Sequence, residues 1–153
     1  MVVNTKIFGE VDIPEERIIH LDNGIIGFPD LKSFSLMHNE ERGNSGIAWL
    51  VSMEEPAFAL PVMDPLIVYP TFNPEVEDEL LKPLGELDPD DMLVLVTLSI
   101  PKGAPEKMTV NLKAPIIINA KERKAVQIIL DGEEYKIKFP VYDILKSLKK
   151  EGE

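Results

Sequence analysis

The chain has 153 residues, 44% of them hydrophobic, and carries 27 acidic against 16 basic residues for a net charge of −11. That length suits one domain burying about 70% of the surface its unfolded chain exposes, so a full core needs neither metal nor disulfide. Cysteine is absent, which excludes zinc–thiolate sites, thiol catalysis and disulfide frameworks, and the acid surplus repels phosphate backbones, arguing against direct nucleic-acid binding.

Val3, Thr5 and Ile7 alternate with Asn4 and Lys6 at the period of a strand, and Gly9 ends the run. Val11 and Ile13 resume the alternation, and Arg17 to Leu21 predicts a third strand, running into a tight turn at Asp22-Asn23-Gly24. Gly27 and Pro29 break any regular element in Ile25 to Leu31, and Phe28 between them is hard to bury completely, which suits a partner-facing loop; the competing account is simply the way a strand leaves the barrel. Phe34 to Met37 predicts a strand, Arg42 to Gly46 a loop, and Ile47 to Ser52 a strand carrying the only tryptophan, Trp49. Ala57 to Val62 and Leu66 to Tyr69 continue the series of strands. Short strands at this spacing, parted by Gly, Pro and Asn, predict a mostly β, single-domain, barrel-like fold.

A mid-chain helix is expected from Asn73 as N-cap and Pro74 at the first helical position, with Val76, Leu80, Leu81 and Leu84 on one face. Met92 to Ile100 reads as the central strand, and Met108 to Leu112 as a strand with one wet face. In Asn111 to Asn119 (NLKAPIIIN), Pro115 lacks a backbone N–H, so it can only open a strand or lie on an edge. The two flanking Asn can bond the backbone where the chain turns. Ala125 to Leu130, a turn at Asp131-Gly132, and Tyr135 to Phe139 predict a hairpin. Pro140 to Lys150 predicts an amphipathic C-terminal helix, so residues 1–150 form the domain and 151–153 a frayed tail.

Little in this pattern supplies catalysis. Gly24 to Gly27 and Gly43 to Gly46 lack the spacing and following helix of a phosphate-binding loop. His20 and His38 are too few for a metal site without carboxylate help. Asp88, Asp90 and Asp91 lack the Gly and closing Glu of a calcium loop and read as a turn and cap cluster. No secretory leader or membrane-length apolar run is evident, so a soluble cytoplasmic, cofactor-free, non-enzymatic protein is expected. The acid surplus keeps two readings: plain solubility, or attraction of a basic partner.

Several segments, in order, resemble the flagellar assembly factor FliW family. They are Ile7-Phe8-Gly9; Asn23 to Leu31 (NGIIGFPDL) with Phe34; Trp49-Leu50-Val51-Ser52 with Pro56-Ala57-Phe58; Asp91 to Ile100; NLKAPIIIN; and Gln127-Ile128-Ile129-Leu130. Tyr142 to Glu153 carries no family motif, so the last helix rests on periodicity. The resemblance implies a small cytoplasmic β-barrel-like protein without enzymatic activity that binds newly made flagellin. In many bacteria such proteins also bind the RNA-binding translational repressor CsrA, allosterically and away from its RNA surface. Flagellin export frees the factor to capture CsrA and relieve repression of flagellin mRNA; accumulated flagellin occupies the factor and releases CsrA.

On that reading Glu75, Glu77, Asp78, Glu79, Asp88, Asp90 and Asp91, clustered on and beside the mid-chain helix, form an acidic face for CsrA; the competing account is a solvated helix surface. Flagellin is expected to make a more apolar contact, a terminal helix lying in a groove. Phe28 is a candidate contact, and Asn111, Lys113 and Asn119 are placed near an exposed edge, though turn geometry at Ala114-Pro115 explains the same residues. Two other classes stay open: a small-molecule-binding β-barrel whose pocket is lined by Trp49, Phe58 and Tyr69, and a hydrolase with two convergent carboxylates.

Overall fold

A computed structural model describes residues 2–6, 8–38 and 46–151. The strands are β1 (Val2–Thr5), β2 (Gly9–Asp12), β3 (Ile19–His20), β4 (Ser33–His38), β5 (Ile47–Ser52), β6 (Ala59–Met63), β7 (Met92–Ser99), β8 (Thr109–Val110), β9 (Ile116–Asn119), β10 (Lys124–Gln127) and β11 (Phe139–Pro140). The α-helices are α1 (Pro65–Val68), α2 (Asp78–Leu81) and α3 (Tyr142–Glu151). Strands β7, β6, β5, β4, β3, β10 and β9 follow one another in the sheet, and β7 pairs with β9, which closes a seven-stranded barrel. All these pairings are antiparallel except the seam, where β3 and β10 run parallel through His20 and Lys124.

Alternation along the strands sorts three packed clusters. Leu21, Phe34, Leu50, Val62, Leu95, Ile116 and Ile118 point inward and fill the barrel with apolar side chains. The outer face of β7 and β9 gives Val96, Leu98 and Ile117, covered by Val68, Phe72, Leu84, Tyr135 and Val141. The outer face of β5 gives Val51, packed with Val3, Ile13, Ile18 and Met53, so the β1–β2 hairpin covers it, with Trp49 half-buried beneath. The central strand β7 is therefore apolar on both faces, which explains its unbroken run in the sequence.

Four expectations are corrected. Leu66 to Tyr69 is not a strand: Asp64 caps α1, its Oδ1 accepting from the Leu66 N–H at 2.9 Å, and Pro65 opens the helix. The mid-chain helix does not start at Asn73. That N–H donates to Tyr135 Oη at 3.1 Å, Val76 packs on the outer core, and helix appears only at Asp78. No hairpin joins 125–130 to 135–139: β10 pairs with β9, while Phe139 pairs with Val110 of β8. The C-terminal helix begins at Tyr142 and not at Pro140, which instead pairs with Thr109 in β11. Ile7, the expected loop at 42–45 and residues 152–153 lie outside the described residues.

Pro115 directly precedes β9, as its missing donor requires. Its carbonyl accepts from the Ile128 N–H at 3.0 Å, and the Lys113 carbonyl accepts from Leu130 at 2.7 Å, so the β9–β10 ladder continues past Gln127.

Candidate functional site

The segments NGIIGFPDL and NLKAPIIIN meet at one end of the barrel. Gly24 N–H donates to Leu21 O at 3.0 Å, Phe28 N–H to Ile25 O at 2.7 Å, and Leu31 N–H to Phe28 O at 3.1 Å, giving three successive turns. The middle turn needs positive φ, which Gly27 supplies at +91°. Gly24 has φ +68°, and a Cβ there would sit 2.7 Å from the carbonyl oxygens of both Phe28 and Pro29. The loop folds back onto the one residue that leaves room for it. Ile25 and Leu31 thereby plug the barrel interior, while Ile26 and Phe28 remain 49% and 46% exposed. The Phe28 ring lies 4.6 Å from that of Phe58 at an interplanar angle of 56°.

Gln127 fastens this loop. Its Oε1 accepts from the Ile26 N–H at 2.8 Å and its Nε2 donates to the Ala114 carbonyl at 3.1 Å. In the sequence Gln127 stands in a family segment but with no role of its own; the available signal was a lone amide ending an apolar-alternating strand. Asn111 and Lys113 stand at the same end, both half-buried: Asn111 Oδ1 accepts from the Lys113 N–H at 3.0 Å. Asn119 does not lie near an exposed edge. It is fully buried at the opposite end, its Nδ2 donating to Leu84 O at 2.8 Å and Glu86 O at 3.0 Å, and its Oδ1 accepting from the Glu122 N–H at 3.3 Å. Its surroundings come from a segment more than thirty residues away.

Of the seven candidate acids, Asp88, Asp90 and Asp91 stand at that opposite end, where the Asp91 carbonyl accepts from the Ala120 N–H at 2.9 Å. Glu75 and Glu77 are exposed on the irregular approach to α2, and Asp78 and Glu79 are exposed in its first turn. Asp88 and Asp90 are exposed and Asp91 half-buried in a single 3-10 turn, where Asp88 Oδ1 accepts from the Asp90 N–H at 3.0 Å. Strand β7 starts at the Asp88–Asp91 turn with exposed Met92 and Leu93 and runs to the loop end, so its eight residues set that turn about 25 Å from the loop. Glu79 meets Lys82 at 3.4 Å, an exposed pair of the kind that contributes little.

Trp49, Phe58 and Tyr69 do not share a pocket: they belong to the clusters under the β1–β2 hairpin, at the barrel interior and on the outer face of β7, respectively. An open cleft of about 440 Å³ is lined by Glu15, Ile18, His20, Ser33, Met53 and Glu54. The Glu54 carboxylate there already accepts from the Lys32 and Ser33 N–H groups at 3.2 and 3.0 Å, which orients it toward the backbone. His20 pairs with Ser33 at one end of β4 and His38 lies at the other, about 17 Å away by strand rise, so the two cannot share a ligand. No group of three or more His, Cys, Asp and Glu suited to a metal occurs among the described residues.

A closed barrel filled with side chains, with Ile26 and Phe28 exposed on the loop at one end and the Asp88–Asp91 turn at the other, is a scaffold that presents chemistry on its outside. The chain belongs to the FliW protein family, whose model matches residues 2–141. It is 47% identical to the flagellar assembly factor FliW of Lachnospira eligens, over 95% of this chain and 97% of that protein. It is 44% identical to the one from Pseudothermotoga lettingae, over 94% and 89%. A crystal structure of the flagellar assembly factor FliW superposes with a TM-score of 0.84 at 30% identity, covering 93% of this chain and 97% of that one. The role of this chain is thus in flagellar assembly.

Proposed function

We propose that this chain is a non-enzymatic cytoplasmic factor that binds flagellin and, by partner switching, binds and antagonises CsrA to relieve repression of flagellin mRNA. The observation that carries the reading is the exposed Phe28 ring seated on Phe58 beside exposed Ile26. Apolar side chains held at a rigid barrel end fit a protein contact, and we assign flagellin to them. The acidic end suits a basic RNA-binding protein, because complementary potentials raise the association rate. We assign CsrA to Glu75, Glu77, Asp78, Glu79, Asp88, Asp90 and Asp91.

Competition tests the switch: purified flagellin is titrated into the preformed complex with CsrA, and complexes are sized by sedimentation. Displacement of CsrA is expected, and a stable ternary complex refutes partner switching. Reversal of Glu75, Glu77, Asp78 and Glu79 to Lys is expected to weaken CsrA and to flatten its salt dependence. An affinity for the unmodified chain that is constant from low to high salt removes the electrostatic account.

A further inference from the structure

Beyond Gln127 the β10 backbone presents an open edge. Ile128 and Leu130 turn their N–H groups to the chain before β9, bonding Pro115 O and Lys113 O at 3.0 and 2.7 Å. By alternation the N–H and C=O of Ile129 face the other way. There β3 has already left: it touches β10 only at the His20–Lys124 pair before the chain turns off at Leu21. Among the described residues nothing bonds the Ile129 backbone, and its side chain is 61% exposed. Gln127, on the same face by strand alternation, holds the Ile26 backbone, which brings the edge beside the apolar loop end.

We infer that this edge is the seat of an extended segment of the partner polypeptide, apolar at alternate positions with Lys or Arg at its flanks, added as a short strand against Ile129 with a side chain toward Ile26 and Phe28. The inference rests on the reading that the loop end docks flagellin and specifies the mode. A strand satisfies the open N–H and C=O; a docked helix keeps its own N–H groups bonded and leaves Ile129 unpaired. Charge selects the flanks. Exposed Asp22, Asp30, Glu54, Glu55 and Asp131 adjoin the loop end, against exposed Lys32 and Lys136 and half-buried Lys113. The same acids oppose edge-to-edge pairing of two copies, each with net charge −11.

Ile129→Pro removes the outward N–H while leaving both ladder bonds to Pro115 and Lys113 in place. Purified flagellin of the same bacterium is the probe, titrated calorimetrically. Binding about fivefold weaker than to the unmodified chain is expected, equivalent to one net backbone hydrogen bond. Hydrogen exchange on the unmodified complex supplies a second readout: the Ile129 amide is expected to become protected, and it decides the matter if the proline variant does not fold. Unchanged affinity of a folded Ile129→Pro, or an unprotected Ile129 amide in a formed complex, overturns the strand mode and leaves flagellin binding standing. Failure of the unmodified chain to bind flagellin removes both.

Discussion

Gln127→Ala removes the side chain that, among the described residues, hydrogen-bonds both loops of the apolar end. Two hydrogen bonds are lost, to the Ile26 N–H at 2.8 Å and the Ala114 carbonyl at 3.1 Å. At about 1 kcal/mol net each the loss is about 2 kcal/mol, with the Ile26 end at the low side because water reaches it. Unfolding entropy of about 2.1 cal/mol/K per residue converts this into a melting-temperature fall of about 6 °C for a chain of 153 residues. Differential scanning calorimetry measures the fall, and hydrogen exchange assigns it: the Ile26 amide is expected to exchange faster while amides at the buried acidic-end Asn119 stay protected. Gln127→Glu separates the two bonds, since its carboxylate still accepts from Ile26 but faces the Ala114 carbonyl with a charge instead of a donor. It is expected to be no more stable than the alanine variant. A Gln127→Ala protein that melts within about 1 °C of the parent, with Ile26 exchange unchanged, refutes the fastening role.

Gly24→Ala is expected to cost about 3 kcal/mol in urea unfolding, combining positive-φ strain with a Cβ at 2.7 Å from two backbone oxygens; a cost under about 1 kcal/mol shows that the loop relaxes freely. Asn119→Ala strands Leu84 O, Glu86 O and the Glu122 N–H, for an expected loss of about 3 kcal/mol by the same assay, although the residue touches no proposed partner. Asn119→Asp sets a carboxylate against two carbonyl oxygens, which raises its folded pKa above the unfolded value of about 3.9. Its stability relative to the parent is therefore highest below about pH 4 and falls as pH rises toward 7, which pH-resolved melts check. Phe28→Asp is expected to abolish flagellin capture in a pull-down while shifting stability by about 1 kcal/mol, the order of its ring contact with Phe58; unimpaired capture removes Phe28 from the contact.

The barrel was legible because strand alternation is local: Phe34, Leu36, Leu50, Leu60 and Val62 point inward at the period the residues announce. Pro115 likewise declared its place at the head of β9. The failures share a cause. Asn73 and Pro74 carry the signature of a helix start, but Tyr135, far along the chain, takes the Asn73 N–H, and the outer core takes Val76. A local cap signal lost to tertiary packing. Residues 125–130 looked like the first arm of a hairpin because Asp131-Gly132 is a turn sequence, yet their partner lies upstream in β9. Asn119 looked like a turn residue and is one, through Glu122, but its two bonds to Leu84 and Glu86 bury it. The fastening role of Gln127 was invisible for the same reason: its partners are loops 101 and 13 residues away. The exposure of Phe28 was foreseeable from Gly27 and Pro29 alone.

The parallel seam between β3 and β10 has a consequence for biosynthesis. The first barrel strand pairs with β4 at once, but its second neighbour, β10, exists only when residue 124 has been translated. Until then β3, β4, β5 and β6 form a sheet that cannot close and whose inner face stays wet. Topologies dominated by such distant pairings fold in milliseconds to seconds. The interior therefore dries late, after most of the polypeptide has emerged, and β4 to β6 are the stretch most exposed to aggregation before that moment.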